Sequence, residues 1–292
     1  MPAPEHLYGI IGYPLGHSLS PLLHSWGFAR TGWPGAYFAW PVPPADTADF
    51  IRAARLLPVH GASVTIPHKE SVLPLLDSVS PRAARMGAVN TLFWRDGALC
   101  GENTDVHGFM APLRARMTSA CGDAAKRAIF ESALVLGAGG AARAVIAGLQ
   151  ELGVPRIHIA NRHPGKAEIL ARHFGVETLP WEERAALGAQ CVVNTTPLGM
   201  HGAHAEDSPF PVAGFTGDGL AYDLVYNPLH TRFLRDARAA GWAVQDGLDM
   251  FAAQGVEQFR IWTGRALPVR DAREMLLQHL RAESPSPLQQ KH

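Results

Sequence analysis

The hydrophobic positions of this chain fall into short apolar runs that alternate with longer amphipathic stretches. Near the start, apolar runs at 7–13, 36–40 and 61–66 predict strands, while 21–30 and 46–57 have the spacing typical of helices. Alternating strands and helices favour parallel strands in a sheet that is covered by helices. The pattern therefore predicts an α/β fold with a mainly parallel sheet.

Two local sequence motifs refine the prediction for this first part of the chain. Ser20-Pro21 predicts a helix start, because serine is a favoured N-cap and proline suits the first helical position. Asp96-Gly97 separates apolar runs at 90–94 and 98–103, which predicts a tight hairpin. A helix is expected to follow from about 106 to 117.

A second alternation of strands and helices begins after residues 118–127, a small, polar stretch that we interpret as a connector. The segments predicted from there on are strands at 132–137, 156–160, 191–196, 220–226 and 242–245, and helices at 140–152, 165–174, 247–264 and 270–281. A length of 292 residues favours two domains. We expect one domain from 1–117 plus 247–282, a second from 118–246, and a flexible tail at 283–292.

Composition narrows the class of protein. Hydrophobic residues make up 47% and charged residues 18%, which supports a large core and argues against disorder. Lys plus Arg and Asp plus Glu number 26 each, so nothing favours a nucleic-acid partner. No apolar run is long enough to cross a bilayer and no export signal opens the chain, so we expect a cytoplasmic protein without a membrane partner.

Cysteine and histidine usage indicates no metal. Cys100, Cys121 and Cys191 are scattered, which is typical of reduced thiols rather than a disulfide or zinc framework. None of the 14 histidines has the spacing of a metal-ligand cluster, and 201–204 is interpreted as a solvated loop. The expected partner is a small-molecule substrate, and the oligomeric state stays open between monomer and homodimer.

The strongest cofactor signal is LVLGAGGAA at 134–142, a buried strand followed by GxGxxA and a helix. Its first glycine permits the tight turn, its second lets a pyrophosphate approach the backbone, and the helix N-terminus stabilises the phosphate charge. The next strand ends in IANRHPGK (159–166) and lacks the carboxylate that binds the ribose of NAD. Arg162, with Asn161 and Lys166, would attract a 2′-phosphate, so NADP is preferred over NAD.

Polar residues also recur where the strands of the first half end. Ligands of open α/β sheets bind beyond the carboxyl ends of the strands, so these side chains are expected to share one pocket. Their hydroxyl, amide, ammonium and carboxylate groups would suit a small, densely hydroxylated acid. The residues concerned are Ser18, Ser20, Thr65, Lys69, Asn90 and Asp105.

From residue 12 to residue 259 the chain resembles the shikimate dehydrogenase (shikimate/quinate dehydrogenase) family. The segments that carry this resemblance are GYPLGHSLSPLLHS, VTIPHKE, GAVNTL, GENTD, GAGGAARA, NRHPGKA, NTTPLGM, AYDLVYNPLHTRFL and GLDMFAAQGVEQF. The resemblance implies a substrate-binding domain, a Rossmann-type NADP-binding domain and an active site in the cleft between them. It also implies reversible reduction of 3-dehydroshikimate to shikimate with NADPH, a step of chorismate and aromatic amino acid biosynthesis.

The resemblance assigns roles to residues by position. Lys69 and Asp105 match the catalytic pair that handles the proton. The positions matched to substrate-binding residues are Ser18, Ser20, Thr65, Asn90, Tyr226 and Gln254. The positions matched to cofactor-binding residues are Gly137, Ala138, Gly139, Gly140, Ala141, Asn161, Arg162, Thr195, Pro197 and Met200. We add Lys166 and Gly247 to the expected cofactor site.

Three residues depart from the family pattern, and they keep other functions open. Ser25 replaces an asparagine, Val106 replaces a glycine beside Asp105, and His163 replaces a threonine or serine. Val106 is expected to narrow the pocket, and His163 weakens the preference for NADP. One alternative is a quinate or quinate/shikimate dehydrogenase with relaxed substrate or cofactor use. Another is a non-catalytic sensor of ligand and NADP.

Overall fold

Two six-stranded sheets form the framework of this protein, whose structure, a computed structural model, describes residues 3–16, 18–119 and 131–283. The strands are β1 (His6–Gly12), β2 (Gly35–Pro41), β3 (Val59–Val64), β4 (Ser78–Val79), β5 (Thr91–Arg95), β6 (Ala98–Glu102), β7 (Ser132–Leu136), β8 (Arg156–Ala160), β9 (Glu177–Leu179), β10 (Cys191–Asn194), β11 (Leu220–Asp223) and β12 (Ala243–Gln245). The helices are α1 (Ser20–Thr31), α2 (Thr47–Leu56), α3 (Pro81–Met86), α4 (Asp105–Ser119), α5 (Gly140–Glu151), α6 (Pro164–Phe174), α7 (Arg232–Ala239), α8 (Gly247–Thr263) and α9 (Val269–Glu283).

The first sheet has the strand order β2-β1-β3-β5-β6-β4. Strand β1 pairs in parallel with β2 and β3, whereas β5 is antiparallel to both β3 and β6. The predicted hairpin is present, and both turn residues adopt the positive φ angles that a tight hairpin turn requires (Asp96 51°, Gly97 79°). The parallel pairs bring the carboxyl ends of β1 and β3 to one edge of the sheet.

The second sheet is wholly parallel, in the order β12-β11-β10-β7-β8-β9. Strands β7, β10 and β11 are almost entirely buried, as expected when helices cover both faces of a parallel sheet. The direction of winding reverses between β7 and β10, which is where open α/β sheets bind their ligands. The predicted α/β fold with mainly parallel sheets is confirmed.

Helices α8 and α9 pack against α1 and the first sheet. Their buried side chains, among them Leu248, Phe259 and Leu276, form one apolar cluster with Tyr8 and Leu23. The chain therefore leaves the first sheet after α4, builds the second sheet, and returns to the first.

Helix α4 contacts both halves of the molecule. Val106, Phe109 and Leu113 are fully buried in a cluster with the strands and helices of the second sheet. The ring of Phe109 stacks on Tyr222 of β11, with 5.1 Å between ring centroids. The same ring packs on α5, where Gly148 permits the close contact because a Cβ there would lie 2.6 Å from the Phe109 ring.

Several predictions about local structure differ from the observed fold. Ser20 is not the N-cap of α1: Leu19 holds that position, with φ −81° and ψ 0°, and makes no side-chain cap bond. The short elements β4, α3, β9 and α7 were not predicted, although Thr231 caps α7 by accepting a hydrogen bond from the Leu234 N–H. Most of the predicted connector (118–127), together with 284–292 of the predicted tail, lies outside the described residues.

No helix in the described ranges is long and apolar enough to cross a membrane. Cys100 and Cys191 are buried free thiols, while Cys121 lies outside the described residues. Burial raises the pKa of Cys191 to about 12, so this sulfur stays a neutral thiol at physiological pH.

Candidate active site

A cavity of about 520 Å³ lies between the two sheets, beyond the carboxyl ends of β1 and β3. It is lined by residues of the first sheet, by residues that follow strands of the second sheet, and by residues of α8. Among them are Lys69, Asp105 and all six side chains that match the family's substrate residues, namely Ser18, Ser20, Thr65, Asn90, Tyr226 and Gln254. Three positions expected at the cofactor site, Ala141, Met200 and Gly247, line the same cavity.

Lys69 and Asp105 form an ion pair at the wall of this cavity. The Lys69 Nζ donates to Asp105 Oδ2 over 2.5 Å, and the two side chains are only 16% and 9% exposed. Lys69 follows the end of β3, and Asp105 is the first residue of α4. The backbone of Lys69 is joined to the segment before β5, because the Val89 N–H donates to the Lys69 carbonyl over 2.7 Å.

The buried Asn90 amide orients the other side of the carboxylate. Its Nδ2 donates to Asp105 Oδ1 over 2.8 Å and to Thr104 Oγ1 over 2.9 Å. Its Oδ1 accepts from the Thr104 N–H over 2.8 Å and from the Thr91 hydroxyl over 2.7 Å. Asp105 therefore has a partner on each carboxylate oxygen, which holds it in one rotamer and leaves Lys69 directed at the cavity.

The hydroxyl groups at the start of α1 lie at the same cavity. Ser18 Oγ accepts from the Ser20 N–H over 3.3 Å, so Ser18 rather than Ser20 satisfies a backbone donor at this helix start. Ser20 is thereby released from capping. The positive end of the α1 dipole favours an anion here.

Tyr226 and Gln254 complete the opposite wall. The ring of Tyr226 packs on Phe251, with 4.8 Å between centroids, and burial raises the pKa of its phenol. Gln254 Nε2 donates to the Phe251 carbonyl over 2.9 Å, which leaves its Oε1 directed towards Asn90 at 3.5 Å.

The glycine-rich loop after β7 lies beside this site. Gly137 has φ 107°, and a Cβ there would lie 2.6 Å from Thr195 Oγ1, so only glycine fits. A Cβ at Gly139 would meet nothing within 4 Å, which leaves open space at the N-terminus of α5. This arrangement fits a dinucleotide pyrophosphate. A Cβ at Gly140 would lie 3.6 Å from Lys69 Cδ, so the loop runs directly past the Lys69–Asp105 pair.

The end of β8 is basic and exposed. Arg162, His163 and Lys166 are all exposed, and no carboxylate pairs with Arg162 in the described part of the chain. Asn161 donates through Nδ2 to the His163 carbonyl over 2.9 Å, which closes the turn before α6. His163 is the N-cap of α6 but makes no side-chain cap bond. Three basic side chains at a helix N-terminus suit a phosphate group.

Gly247 and the loop 195–200 form the remaining edge of the cofactor side. A Cβ at Gly247 would lie 2.3 Å from the Leu224 carbonyl oxygen, so this position at the start of α8 excludes any side chain. Thr195 Oγ1 donates to the Leu136 carbonyl over 2.8 Å, and the Met200 N–H donates to the Pro197 carbonyl over 3.1 Å.

The buried Asp223 anchors this loop. Its Oδ1 accepts from Asn194 Nδ2 over 2.9 Å, and its Oδ2 accepts from the Thr231 hydroxyl over 2.6 Å. Asn194 in turn accepts the Thr196 N–H over 2.9 Å and donates to the Leu198 carbonyl over 3.1 Å. Burial raises the pKa of Asp223 to about 7, although these hydrogen bonds partly oppose the shift.

Replacing Asp223 by asparagine is expected to change how stability depends on pH. Because the pKa is higher in the folded chain, the folded state binds more protons than the unfolded state between about pH 4 and 7. Asp223 therefore lowers the free energy of unfolding as the pH rises through this window, by at most about 1.4 kcal/mol per pH unit. Urea unfolding at several pH values should show that Asp223→Asn removes this contribution. Identical pH slopes for the two proteins would contradict the prediction.

Two buried polar residues at the cavity were not predicted from the sequence. Ser63 of β3 and Gln258 of α8 both line the cavity, and the buried Tyr37 hydroxyl donates to Ser63 Oγ over 2.7 Å. Their spacing could have indicated them. Ser63 precedes Thr65 by two positions and Gln258 follows Gln254 by one helical turn, so each shares a face with a predicted site residue.

The three residues that depart from the family pattern, Ser25, Val106 and His163, do not line the cavity. The prediction that Val106 narrows the pocket is wrong: its side chain is fully buried in the apolar cluster against the second sheet. Ser25 is exposed on α1. Within the ranges that the structure describes, no group of three or more His, Cys, Asp or Glu side chains could hold a metal ion.

Comparison with known proteins gives a consistent result. Three family models match: shikimate dehydrogenase substrate binding domain at 10–92, shikimate/quinate 5-dehydrogenase at 123–191, and shikimate 5'-dehydrogenase C-terminal domain at 247–277. Shikimate dehydrogenase (NADP(+)) from Oleidesulfovibrio alaskensis is 57% identical over 275 residues, which cover 94% of this chain and 95% of that relative.

The solved structures that resemble this chain are shikimate and quinate dehydrogenases as well. Shikimate 5-dehydrogenase from Thermus thermophilus, in complex with NADP(H) and shikimate, is 40% identical with a TM-score of 0.81 and covers 94% of this chain and 99% of its own. Quinate dehydrogenase from Corynebacterium glutamicum, in complex with NAD, is 33% identical with a TM-score of 0.83, at 94% and 99% coverage. On its motifs, its fold and these relatives, the chain belongs to the shikimate dehydrogenase family.

Proposed function

We propose that this chain is a cytoplasmic NADP-dependent shikimate dehydrogenase, which reversibly reduces 3-dehydroshikimate to shikimate in aromatic amino acid biosynthesis. The observation that carries the proposal is the Lys69–Asp105 pair, which lies in one cavity with all six side chains matched to the family's substrate residues. The 57% identity to a shikimate dehydrogenase (NADP(+)) supports it. The buried free thiols of Cys100 and Cys191 suit a reducing compartment.

The two sheets divide this work between two domains in our proposal. Residues 1–117 with 247–282 form the substrate domain, which carries Lys69 and Asp105. Residues 118–246 form the NADP domain, which carries the glycine-rich loop and the basic turn at the end of β8. The cavity between the sheets is then the place where the two ligands meet.

In this proposal Lys69 is the proton donor for ketone reduction. When bound, NADPH supplies a hydride to the ketone carbon. The Lys69 ammonium, held by Asp105 over 2.5 Å, gives a proton to the developing alkoxide, and it takes the proton back in the oxidising direction. Asp105 keeps the ammonium at the cavity wall, so the proton is delivered from one fixed position.

The remaining polar side chains orient the substrate. Ser18 and Ser20, at the positive end of α1, bind the carboxylate. Asn90, Thr65 and Gln254 donate to or accept from the ring hydroxyls, and Tyr226 closes the edge of the pocket. Together these groups would place the reacting carbon beside Lys69.

Arg162 is expected to determine the preference for NADP. In our assignment it binds the 2′-phosphate with Asn161 and Lys166, and no carboxylate competes for it among the described residues. Replacing Arg162 by alanine should lower kcat/KM with NADP by about 10- to 100-fold, the size of a charge-assisted hydrogen bond. The value with NAD should stay nearly constant, because NAD lacks this phosphate.

A matched control for this prediction lies on the same helix. Arg172 is exposed near the end of α6, away from the basic turn, so Arg172→Ala should change neither value. Steady-state kinetics with both cofactors measure the effect. An equal loss with NADP and NAD in the Arg162 variant would show that Arg162 does not recognise the phosphate.

The function itself is tested by following the absorbance of reduced nicotinamide. The purified protein is mixed with shikimate or quinate, each in combination with NADP or NAD. Strong reduction only with shikimate and NADP is the expected result. Turnover with quinate or NAD would favour the alternative represented by the quinate dehydrogenase from Corynebacterium glutamicum. Ligand binding without any turnover would favour a sensor.

A further inference from the structure

A continuous chain of buried hydrogen bonds leads from the core of the first domain to Asp105. The Tyr37 hydroxyl donates to Ser63 Oγ over 2.7 Å, and the Ser63 hydroxyl donates to Gln258 Oε1 over 2.7 Å. Gln258 Nε2 donates to Thr91 Oγ1 over 3.0 Å, and the Thr91 hydroxyl donates to Asn90 Oδ1 over 2.7 Å. All five side chains are buried.

The direction of these bonds follows from the donor inventory. A hydroxyl has one proton. Because Ser63 donates its proton to Gln258 Oε1, the bond between Ser63 and Tyr37 must be donated by the Tyr37 hydroxyl. With its Oε1 occupied in this way, Gln258 donates through Nε2 to Thr91 Oγ1 over 3.0 Å and to the main-chain carbonyl of Asn90 over 2.9 Å. Thr91 accepts this bond, and its own proton is then free to be donated to Asn90 Oδ1.

The orientation of the Asn90 amide matters for the catalytic pair. With Oδ1 held by Thr91 and by the Thr104 N–H, the amide presents Nδ2 to Asp105 Oδ1 at 2.8 Å. The reverse orientation would place an amide oxygen against a carboxylate oxygen at this distance, and the buried Asp105 would lose a donor. An unsatisfied buried acceptor is costly, and it would release Asp105 from its position beneath Lys69.

We propose that Gln258 and Thr91 are positioning residues for the Lys69–Asp105 pair, because with the Thr104 N–H they hold the Asn90 amide with its N–H groups towards Asp105. Gln258 belongs to α8, one turn after Gln254, and is 2% exposed. Its side chain, at the wall of the cavity, connects α8 to Ser63 of β3 and Thr91 of β5. This inference rests on the proposed dehydrogenase function and adds residues that act through Asn90.

Thr91→Val removes the hydroxyl but keeps the shape of the side chain, and Thr91→Ser keeps the hydroxyl. Thr91→Val should lower kcat for shikimate oxidation by about 10-fold, the size of one net hydrogen bond, while Thr91→Ser should retain most of the activity. If both variants lost activity equally, or if Thr91→Val kept nearly all of its kcat, the positioning role would be wrong.

Gln258→Met supplies the second arm of the test. It should also lower kcat, because Thr91 loses the donor that determines the direction of its hydroxyl. If Gln258 acts through Thr91, the loss in Gln258→Met/Thr91→Val should be smaller than the product of the two single losses. Losses that multiply would mean independent effects and would overturn the shared role.

A spectroscopic measurement separates this inference from the proposed function. In the wild-type protein, NMR should show side-chain amide protons of Asn90 that exchange slowly with water, because both donate to buried acceptors. The protection should be reduced in Thr91→Val and kept in Thr91→Ser. This result needs no turnover, so an inactive wild type would refute the dehydrogenase proposal alone. Rapid exchange of the Asn90 amide in the wild type would refute the positioning proposal.

Discussion

Replacing Lys69 by methionine is expected to reduce kcat for shikimate oxidation by between about 100- and 10,000-fold, the range of general acid–base catalysis. Methionine keeps the unbranched stem that lies beside Gly140 but has no proton to transfer. NADP should bind nearly as well as to the unchanged protein, because the groups that we propose to bind its phosphates follow β7 and β8 of the second sheet. Stopped-flow absorbance for kcat and calorimetry for cofactor binding measure the two quantities separately.

Lys166→Met provides the contrast. Lys166 is exposed at the start of α6, so its loss should raise KM for NADP while kcat stays close to the unchanged value. The same substitution is thus expected to lower kcat at Lys69 and to raise KM for NADP at Lys166. Retention of most of kcat in Lys69→Met would refute the assignment of Lys69 as the proton donor.

Asp105→Asn is expected to lower kcat by about 100-fold or more, although the side chain keeps its size. The carboxylate accepts from Lys69 on one oxygen and from Asn90 on the other. An asparagine has a single acceptor oxygen, so it satisfies one of these donors and turns its own N–H₂ group towards the other. Either the ammonium or Asn90 is released, and KM for shikimate should therefore rise as well.

Asp77→Asn is the matched control for this substitution. Asp77 is also an ion-paired aspartate of the first domain, with Arg55 Nη1 at 2.7 Å, but it lies outside the cavity. It should leave kcat and KM unchanged. If Asp105→Asn and Asp77→Asn had similar kinetics, Asp105 would have no special part in the reaction.

The parts of the site that could be predicted depend on local sequence or on strand ends. The glycine-rich loop needs only a strand, a tight turn and a helix, all of which are contiguous in the chain. Lys69 and Asp105 were predicted to meet because residues that follow strands of one sheet gather at one edge. Their contact at 2.5 Å agrees with that geometry, and their roles remain predictions.

The parts that were missed or wrong depend on how distant segments pack. Ser63 and Gln258 are 195 residues apart, and only the register of α8 on β3 brings them together. Val106 was expected at the pocket because it adjoins Asp105, but successive residues of a helix point in different directions. Ser20 was expected as an N-cap, whereas the loop geometry gives that position to Leu19.

Helix α4 limits how this chain can be recombined with other enzymes. It begins with Asp105, yet Val106, Phe109 and Leu113 are packed into the core of the second sheet. In a chimera that joined the first sheet and its helices to the nucleotide-binding half of another enzyme, these three side chains would contact a foreign surface. A functional exchange of cofactor domains should therefore transfer the α4 residues that face the second sheet together with residues 131–246, while Asp105 stays with the substrate domain. In evolution, substitutions in α4 and in the second-sheet residues that it contacts would have to remain compatible, so the two halves would not be freely interchangeable.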